Sequence, residues 1–190
     1  TATSTLTPVV PPAPTARANT STGNYQADQT ITPLTNDDPG DASAPLVATS
    51  VLLCGISPLE TPPNCNQRSL SVGGEGTYTV NNDGSVLFEP VSTFTGTATA
   101  ISYQVSDSLG QVADSTITVT VRTPPDARND TSSADYDTNQ TINPLTNDVA
   151  GSGTLTASSV RLCGVDQVAQ TCDRVVVAPD RGDELCTLVL

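Results

Sequence analysis

Four of the five cysteines form two close pairs in the sequence. Cys54 and Cys65 bracket GISPLETPPN, and Cys163 and Cys172 bracket GVDQVAQT. The recurrence of a close pair predicts a local disulfide in each case, and loop closure would make each worth about 2.5–3 kcal/mol. Zinc is disfavoured, because two cysteines without histidine or a second nearby pair cannot complete a tetrahedral site. Cys186 is left over as a free thiol, an intermolecular link or the product of a cut in a longer chain.

Carboxylates beside glycine form the second group of candidate residues, because calcium loops supply oxygen ligands in this way. Three stretches have this composition: NDDPGD (36–41), NNDG (81–84) and SDSLG (106–110). Asp37, Asp38 and Asp41 are the best calcium candidates. The EF-hand spacing is absent, and Asp and Asn also occur in turns for their own backbone hydrogen bonds. We therefore predict no obligatory cofactor, with calcium as the ligand to test.

A third motif is the tripeptide Arg181, Gly182 and Asp183 within APDRGDEL. The letters RGD raise the hypothesis of an integrin-binding loop. The match is three residues long and carries little specificity, so a polar turn is the favoured interpretation.

The sequence contains no histidine and no lysine. Without histidine there is no Ser-His-Asp or Cys-His arrangement and no imidazole general base. Without lysine a Lys–Asn isopeptide cross-link cannot form. Carboxylate pairs for glycoside hydrolysis are a distant hypothesis, since no acid is marked as buried beside another and no tryptophan offers a platform for a sugar. We expect no enzymatic activity.

The charge of the chain limits its partners. Twenty acidic residues face seven arginines, which gives a net charge of −13 and a pI of about 4.1. This charge disfavours nucleic acid and anionic membrane surfaces as partners, because binding to them requires a basic patch. No apolar run approaches the roughly 18 residues that a membrane span needs. The paired cysteines favour an oxidising, extracellular location.

The candidate residues recur because the chain is internally duplicated. PPAPTARANTSTGNYQADQTITPLTND lines up with PPDARNDTSSADYDTNQTINPLTND, and VLLCG lines up with VRLCG. We predict one complete repeat over 11–123 and a partial second repeat over 124–190. Residues 1–10 are either a Thr/Pro-rich linker or the last strand of a preceding repeat.

Strand signals dominate the complete repeat. GTYTV and SVLFEP flank the turn NNDG, where Gly84 can take a positive φ, and ATAISYQVS and VADSTITVTV flank DSLGQ. In STITVTV the apolar residues Ile117, Val119 and Val121 alternate with threonines, as on a half-buried strand. The predicted fold class is all-β, a tandem array of β-sandwich-like repeats of the immunoglobulin or cadherin type.

The second copy lacks counterparts of SVLFEP, ATAISYQVS and VADSTITVTV. Three explanations are open. The chain was cut inside an array that continues, or the copy is an atypical terminal repeat. In the third, a neighbouring chain supplies the missing strands by addition to an open edge. The first is favoured and the third ranks last.

The order of these motifs resembles the CshA-type fibril repeat of bacterial surface adhesins. The resemblance covers 11–123 and continues from 124, and VNNDGSVLFEP and YQVSDSLGQ are its most specific parts. It implies a β-rich module strung in tandem in a cell-surface fibril, wall-attached or secreted. Ligand-binding regions would lie elsewhere in the parent protein.

Two function hypotheses follow. The first is a stiff, disulfide-clipped spacer whose partners are neighbouring repeats or identical subunits in a fibre. The alternative is an adhesive module in which loops bind a host protein or glycan, with or without calcium.

Overall fold

The computed structural model describes residues 10–56, 62, 64–163 and 187–189. The chain divides into two compact units, Thr1–Arg122 (unit 1) and Thr123–Leu190 (unit 2). In the described part of the chain, no helix is long and apolar enough to cross a membrane.

The described residues of unit 1 form nine strands and two short 3-10 helices. The strands are β1 (Asn19–Gly23), β2 (Gln29–Ile31), β3 (Leu52–Leu53), β4 (Ser69–Val72), β5 (Gly76–Val80), β6 (Val86–Pro90), β7 (Gly96–Thr97), β8 (Ile101–Ser106) and β9 (Val112–Val121). The 3-10 helices span Pro33–Thr35 and Ala48–Ser50. One sheet has the order β1-β9-β8-β3 with β7 also on β9, and the other has the order β2-β6-β5-β4. This arrangement confirms the all-β, sandwich-like fold class.

Both predicted hairpins are present. Strands β5 and β6 pair antiparallel around the NNDG turn, where Gly84 has a φ of 81°. Strands β8 and β9 pair antiparallel from Ile101↔Ile117 to Ser106↔Val112. The alternation on β9 is also confirmed, since its alternate apolar residues from Ile117 onward are buried.

The two sheets share one hydrophobic core. Tyr78 and Phe88 come from one sheet, with ring centroids 4.6 Å apart, and Tyr103 comes from the other. All three rings are fully buried. The remaining core residues are mostly Val, Ile and Leu, as expected of a sequence with few aromatics. On β4, β5, β6 and β8 the buried side chains alternate along the strand, which fixes the register because a one-residue slip would expose them.

Strands β1 and β9 pair in parallel, with five residue pairs from Asn19↔Ile117 to Gly23↔Val121. This pairing was not predicted from the sequence. Antiparallel partners can be read from a short turn, but these strands are separated by most of the unit, and no local signal links them.

Unit 2 repeats the first part of unit 1. It has 3-10 helices at Pro144–Thr146 and Ala157–Ser159, and strands β10 (Arg161–Cys163) and β11 (Thr187–Val189) pair antiparallel. The segments that correspond to β1 and β2 form no strand. A strand requires a hydrogen-bonded partner, and the counterparts of β9 and β6, which pair with β1 and β2 in unit 1, are absent from the sequence.

Candidate functional site

The Cys54–Cys65 pair forms a disulfide with a Cα–Cα distance of 4.0 Å. Both residues are buried, and Cys54 follows β3 directly, where its N–H donates to Ser102 O at 2.9 Å. The bridge therefore ties Cys65 to the end of strand β3. In the second pair, Cys163 ends β10, whereas Cys172 lies outside the described residues.

A polar cluster joins the start of unit 1 to β8. The Tyr103 hydroxyl lies 2.8 Å from Oδ1 and 2.9 Å from Oδ2 of Asp37. Asp37 Oδ1 also accepts from Arg17 N at 2.8 Å, and Asn19 Nδ2 donates to the Tyr103 hydroxyl at 3.2 Å. These contacts connect positions up to 84 residues apart in the sequence. They hold the N-terminal segment against the body of the sandwich.

Burial controls the titration of this cluster. It raises the pKa of the Asp37 carboxyl, and the hydrogen bonds from Arg17 and Tyr103 only partly offset that effect. Burial and the neighbouring Asp37 raise the pKa of Tyr103 well above its usual range. A part-buried pair in which burial favours the neutral forms is typical of a structural contact, and no nucleophile is activated here.

Gln29 makes a second connection, this time between the two sheets. Its Oε1 accepts from Ser21 Oγ on β1 at 2.7 Å, and its Nε2 donates to Thr120 O on β9 at 3.2 Å. Gln29 itself lies on β2 of the opposite sheet. Gln29, Asn19 and Tyr103 were not predicted from the sequence as functional positions. A buried polar residue cannot be recognised from sequence until its partners are known.

The acidic turns use their carboxylates locally. Asp38 Oδ1 accepts from Gly40 N, and Asp41 Oδ1 accepts from Ser43 N and Oγ, each at 2.8 Å. The hydrogen bonds from Ser43 lower the pKa of Asp41. Within the described residues, no group of three His, Cys, Asp or Glu side chains is placed to hold a metal. Calcium binding by Asp37, Asp38 and Asp41 stays a prediction.

Two other predicted sites cannot be placed. Arg181, Gly182 and Asp183 lie outside the described residues, and so does Cys186.

Unit 2 reproduces the N-terminal half of the polar cluster. Asp148 Oδ1 accepts from Arg128 N at 2.7 Å, as Asp37 does from Arg17. No tyrosine among the described residues meets it, however, and Asp148 Oδ2 is buried without a hydrogen-bond partner there. The backbone hydrogen bond to this aspartate is therefore present in both units, and among the described residues the tyrosine contact is present only in unit 1.

A family model described as "Surface adhesin CshA repetitive domain" matches residues 11–121. The match covers more than half of the chain, including both sheets of the sandwich and the disulfide. The chain belongs to the CshA repeat family. This confirms the resemblance seen in the sequence, and it makes the protein a repeat module of the kind found in surface adhesins.

Further comparisons add little to the CshA repeat assignment. No curated protein matches the chain. One solved structure that aligns with it is the N-terminal eight immunoglobulin domains of Down syndrome cell adhesion molecule (DSCAM), isoform 1.30.30. The identity is 14%, the TM-score is 0.34, and the alignment covers 62% of this chain and 12% of that one. Similarity at this level bears on neither function nor partners.

Proposed function

We propose that the complete CshA repeat is a spacer that carries tension along an extracellular surface fibril. One observation supports this most strongly: β1 and β9, near the two ends of unit 1, lie side by side in parallel. Tension applied at those ends acts along the strands. It therefore loads the evenly spaced hydrogen bonds of the ladder together, and none can break first without the others.

Contacts around the end of this ladder reinforce it. Arg122 N donates to Gly23 O at 3.0 Å, and Arg122 Nη1 donates to Asn24 Oδ1 at 3.0 Å. Gln29 adds its bond to Thr120 O from the other sheet. Sliding β9 past β1 must break these contacts as well, so resistance to shear extends beyond the two strands.

The disulfide contributes in a different way. Cys54 and Cys65 enclose a loop that cannot lengthen under tension while the bond is intact. A closed loop also lowers the entropy of the unfolded chain, which stabilises a module whose core has few large side chains. Such a bond requires an oxidising location, consistent with display outside the cell.

The sequence around the repeat suits an extended array. The junction stretches PPAP and RTPPD contain prolines, which fix φ and favour an extended backbone. The net charge of −13 makes like-charged modules repel each other, which limits aggregation. Neighbouring repeats of a fibre are the expected partners, and we propose no catalytic role.

The competing hypothesis is an adhesive module. It is supported by the acidic turns, where Asp83 is exposed and hydrogen bonds from Ser85 lower the pKa of its carboxyl. Calorimetric titration with Ca²⁺, together with a binding screen against matrix proteins and glycans, separates the two hypotheses. A spacer gives no saturable signal in either assay, whereas tight binding in either would favour adhesion.

Stretching the chain from its two ends tests the spacer directly. A spacer that carries tension stays folded under rising force and then opens in a single abrupt event. Gradual extension at low force would contradict the proposed function.

A further inference from the structure

A short loop lies against the start of each unit. In unit 1 the loop is residues 36–41, and it contacts residues 12–18, which lead into β1. In unit 2 the corresponding loop is residues 147–152, and it contacts residues 123–129. We call the loop of each unit its socket loop and the segment that it contacts its entry segment.

Backbone hydrogen bonds join the socket loop to the entry segment in unit 1. Thr15 N donates to Asp38 O at 2.8 Å, and Asp38 N donates to Thr15 O at 2.9 Å. Arg17 N donates to Asp37 Oδ1 at 2.8 Å. Because backbone groups of the two segments are bonded in both directions, the entry segment is folded before β1 begins.

Unit 2 forms the same contacts with different side chains. Asp126 N donates to Val149 O and Val149 N donates to Asp126 O, both at 2.9 Å. Arg128 N donates to Asp148 Oδ1 at 2.7 Å. The paired residues are threonine and aspartate in unit 1 but aspartate and valine in unit 2. The interaction is therefore carried by the backbone, and it recurs where the side chains differ.

A glycine in each socket loop makes room for the entry segment. Gly40 has a φ of 77°, and a Cβ there would overlap Ala13 O. Gly151 has a φ of 63°, and a Cβ there would overlap Pro124 O. Glycine alone combines a left-handed backbone with so close an approach. Each socket loop is therefore shaped to the segment that it holds.

Hydrogen bonding passes from unit 1 to unit 2 without a gap in the sequence. Arg122 N donates to Gly23 O at 3.0 Å within unit 1. Thr123 N donates to Ser152 Oγ at 2.8 Å, and Ser152 N donates to Thr123 O at 2.9 Å, within unit 2. Arg122 and Thr123 are neighbours in the sequence, so the proline-containing stretch RTPPD is not a free linker.

We propose that the socket loop is a retention site for the entry segment, and that it makes the joint between successive repeats a folded, protease-resistant element. Exposed connections are the usual sites of cleavage in proteins built from several domains. Proteases cut a chain that opens locally over several residues, at a rate that follows the population of the open form. A bonded entry segment keeps this population low.

This inference deepens the proposed function, because a spacer outside the cell needs joints that survive there, and it rests on that extracellular role. The two proposals fail separately. The joint can prove open to proteases while unit 1 still resists tension, and unit 1 can prove mechanically weak while the joint stays closed.

Limited proteolysis of the full chain with trypsin tests the joint, because trypsin cleaves after arginine and Arg122 precedes Thr123. Fragments that end at Arg122 are followed by mass spectrometry, and amide exchange of Thr123 and Asp126 is measured in parallel. We expect slow exchange of both amides. Cleavage should be about a hundredfold or more slower than at the same bond in an isolated peptide of residues 118–127.

Variants of the socket loop and its neighbour Gly153 complete this test. Gly151→Ala should speed the cleavage after Arg122 about tenfold or more, because the added methyl group displaces the entry segment. Gly153→Ala is the matched control, since a Cβ there meets open space, and it should leave the rate unchanged. Ser152→Ala removes only the side-chain acceptor of Thr123 N, and it should raise the rate about threefold to tenfold.

A separate amide reports whether unit 2 stays folded in these variants. Ser159 N donates to Thr156 O at 2.9 Å, outside the socket loop. Its exchange should be the same in the Ser152→Ala chain as in the unmodified chain. If Gly151→Ala speeds exchange at Ser159 as well, the Ser152→Ala chain decides, and an unchanged cleavage rate in that chain would contradict the proposal.

Unit 1 provides an independent test, because trypsin also cleaves between Arg17 and Ala18 in its entry segment. Gly40→Ala should speed this cleavage about tenfold or more. Gly73→Ala, where a Cβ meets open space, should leave it unchanged. Amide exchange in β8 and β9 should stay slow in both variants, since the sandwich remains folded while its entry segment opens.

Three results would overturn the proposal. The first is cleavage after Arg122 that is as fast in the unmodified chain as in the isolated peptide. The second is equal cleavage rates in the Gly151→Ala and Gly153→Ala chains. The third is fast exchange throughout β8 and β9 in the Gly40→Ala chain, because the glycine would then support the whole sandwich and not the entry segment.

Discussion

The hydroxyl of Tyr103 lies within 2.9 Å of both carboxyl oxygens of Asp37, although 66 residues separate the two in the sequence. Tyr103 is on β8 in the centre of a sheet, and Asp37 ends the QTITPLTND phrase. The contact connects the N-terminal part of the repeat to β8, a strand from its C-terminal part. The contact accounts for the aspartate at position 37 of the stretch QTITPLTND.

Tyr103→Phe should lower the free energy of unfolding of unit 1 by about 1–3 kcal/mol, because Asp37 loses a hydrogen-bond donor inside the protein. Urea unfolding at pH 7 measures this. Tyr78→Phe is the matched control, since Tyr78 is equally buried but its hydroxyl has no hydrogen-bond partner among the described residues. It should be neutral or slightly stabilising. Equal losses in the two variants would refute the role of the Tyr103–Asp37 contact.

Alkaline pH should destabilise unit 1. Burial, followed by the charge of Glu75, raises the pKa of Tyr78 to about 12 from the ordinary 10.0. The folded state favours the neutral phenol, so this stabilisation is complete below pH 10 and is lost as the pH rises toward 12. The linkage relation gives a loss of about 1 kcal/mol from Tyr78 by pH 11. Urea unfolding at pH 8 and 11 should show a smaller decline for Tyr78→Phe than for the unmodified chain, and identical declines would disprove the assignment.

Loss of the disulfide should destabilise unit 1 by about 2.5–3 kcal/mol, the entropy of closing a loop of this length. The double variant Cys54→Ser and Cys65→Ser provides the comparison with the oxidised chain in urea unfolding. A reductant should leave the stability of the double variant unchanged. The same reductant should lower the stability of the unmodified chain to about that of the double variant. A chain equally stable before and after reduction would show that the bond has no stabilising role.

Alanine substitutions at three glycines distinguish the energetic cost of backbone strain from that of steric clash. Gly84 has a φ of 81°, and a Cβ there would lie 2.7 Å from Leu34 Cδ1. Gly110 has the same φ with open space around it, and Gly73 has neither feature. Replacement by Ala should cost about 1–2 kcal/mol at Gly110 through the left-handed backbone alone, more at Gly84, and less than about 0.5 kcal/mol at Gly73. Thermal unfolding would measure the order, and a Gly84→Ala chain as stable as Gly73→Ala would contradict it.

The sequence predicts the local part of this fold well. Both hairpins follow from the NNDG and DSLGQ turns, and the buried face of β9 follows from the alternation in STITVTV. The same is true of the close cysteine pair at Cys54 and Cys65. Each of these features depends on residues that are near neighbours in the chain, so a short stretch of sequence contains all the information that specifies it.

The long-range part could not be predicted. The parallel β1–β9 pairing, the Asn19–Tyr103 contact and the Gln29–Thr120 contact join positions 84 to 98 residues apart. Nothing in NTSTG indicates its partner strand. A polar residue such as Gln29 reads as exposed until its donors and acceptors are placed around it.

The force required to unfold unit 1 in two pulling directions tests the central claim most directly. Handles at the two ends of the chain shear β1 against β9, whereas handles at Ala100 and Thr116 separate β8 from β9 one hydrogen bond at a time. Reduction of Cys54–Cys65 should lengthen the end-to-end unfolding step by about 35 Å, which identifies that event as unit 1. We predict a clearly higher unfolding force in the end-to-end direction. An equal or lower force in that direction would contradict the claim that this repeat is built to carry tension.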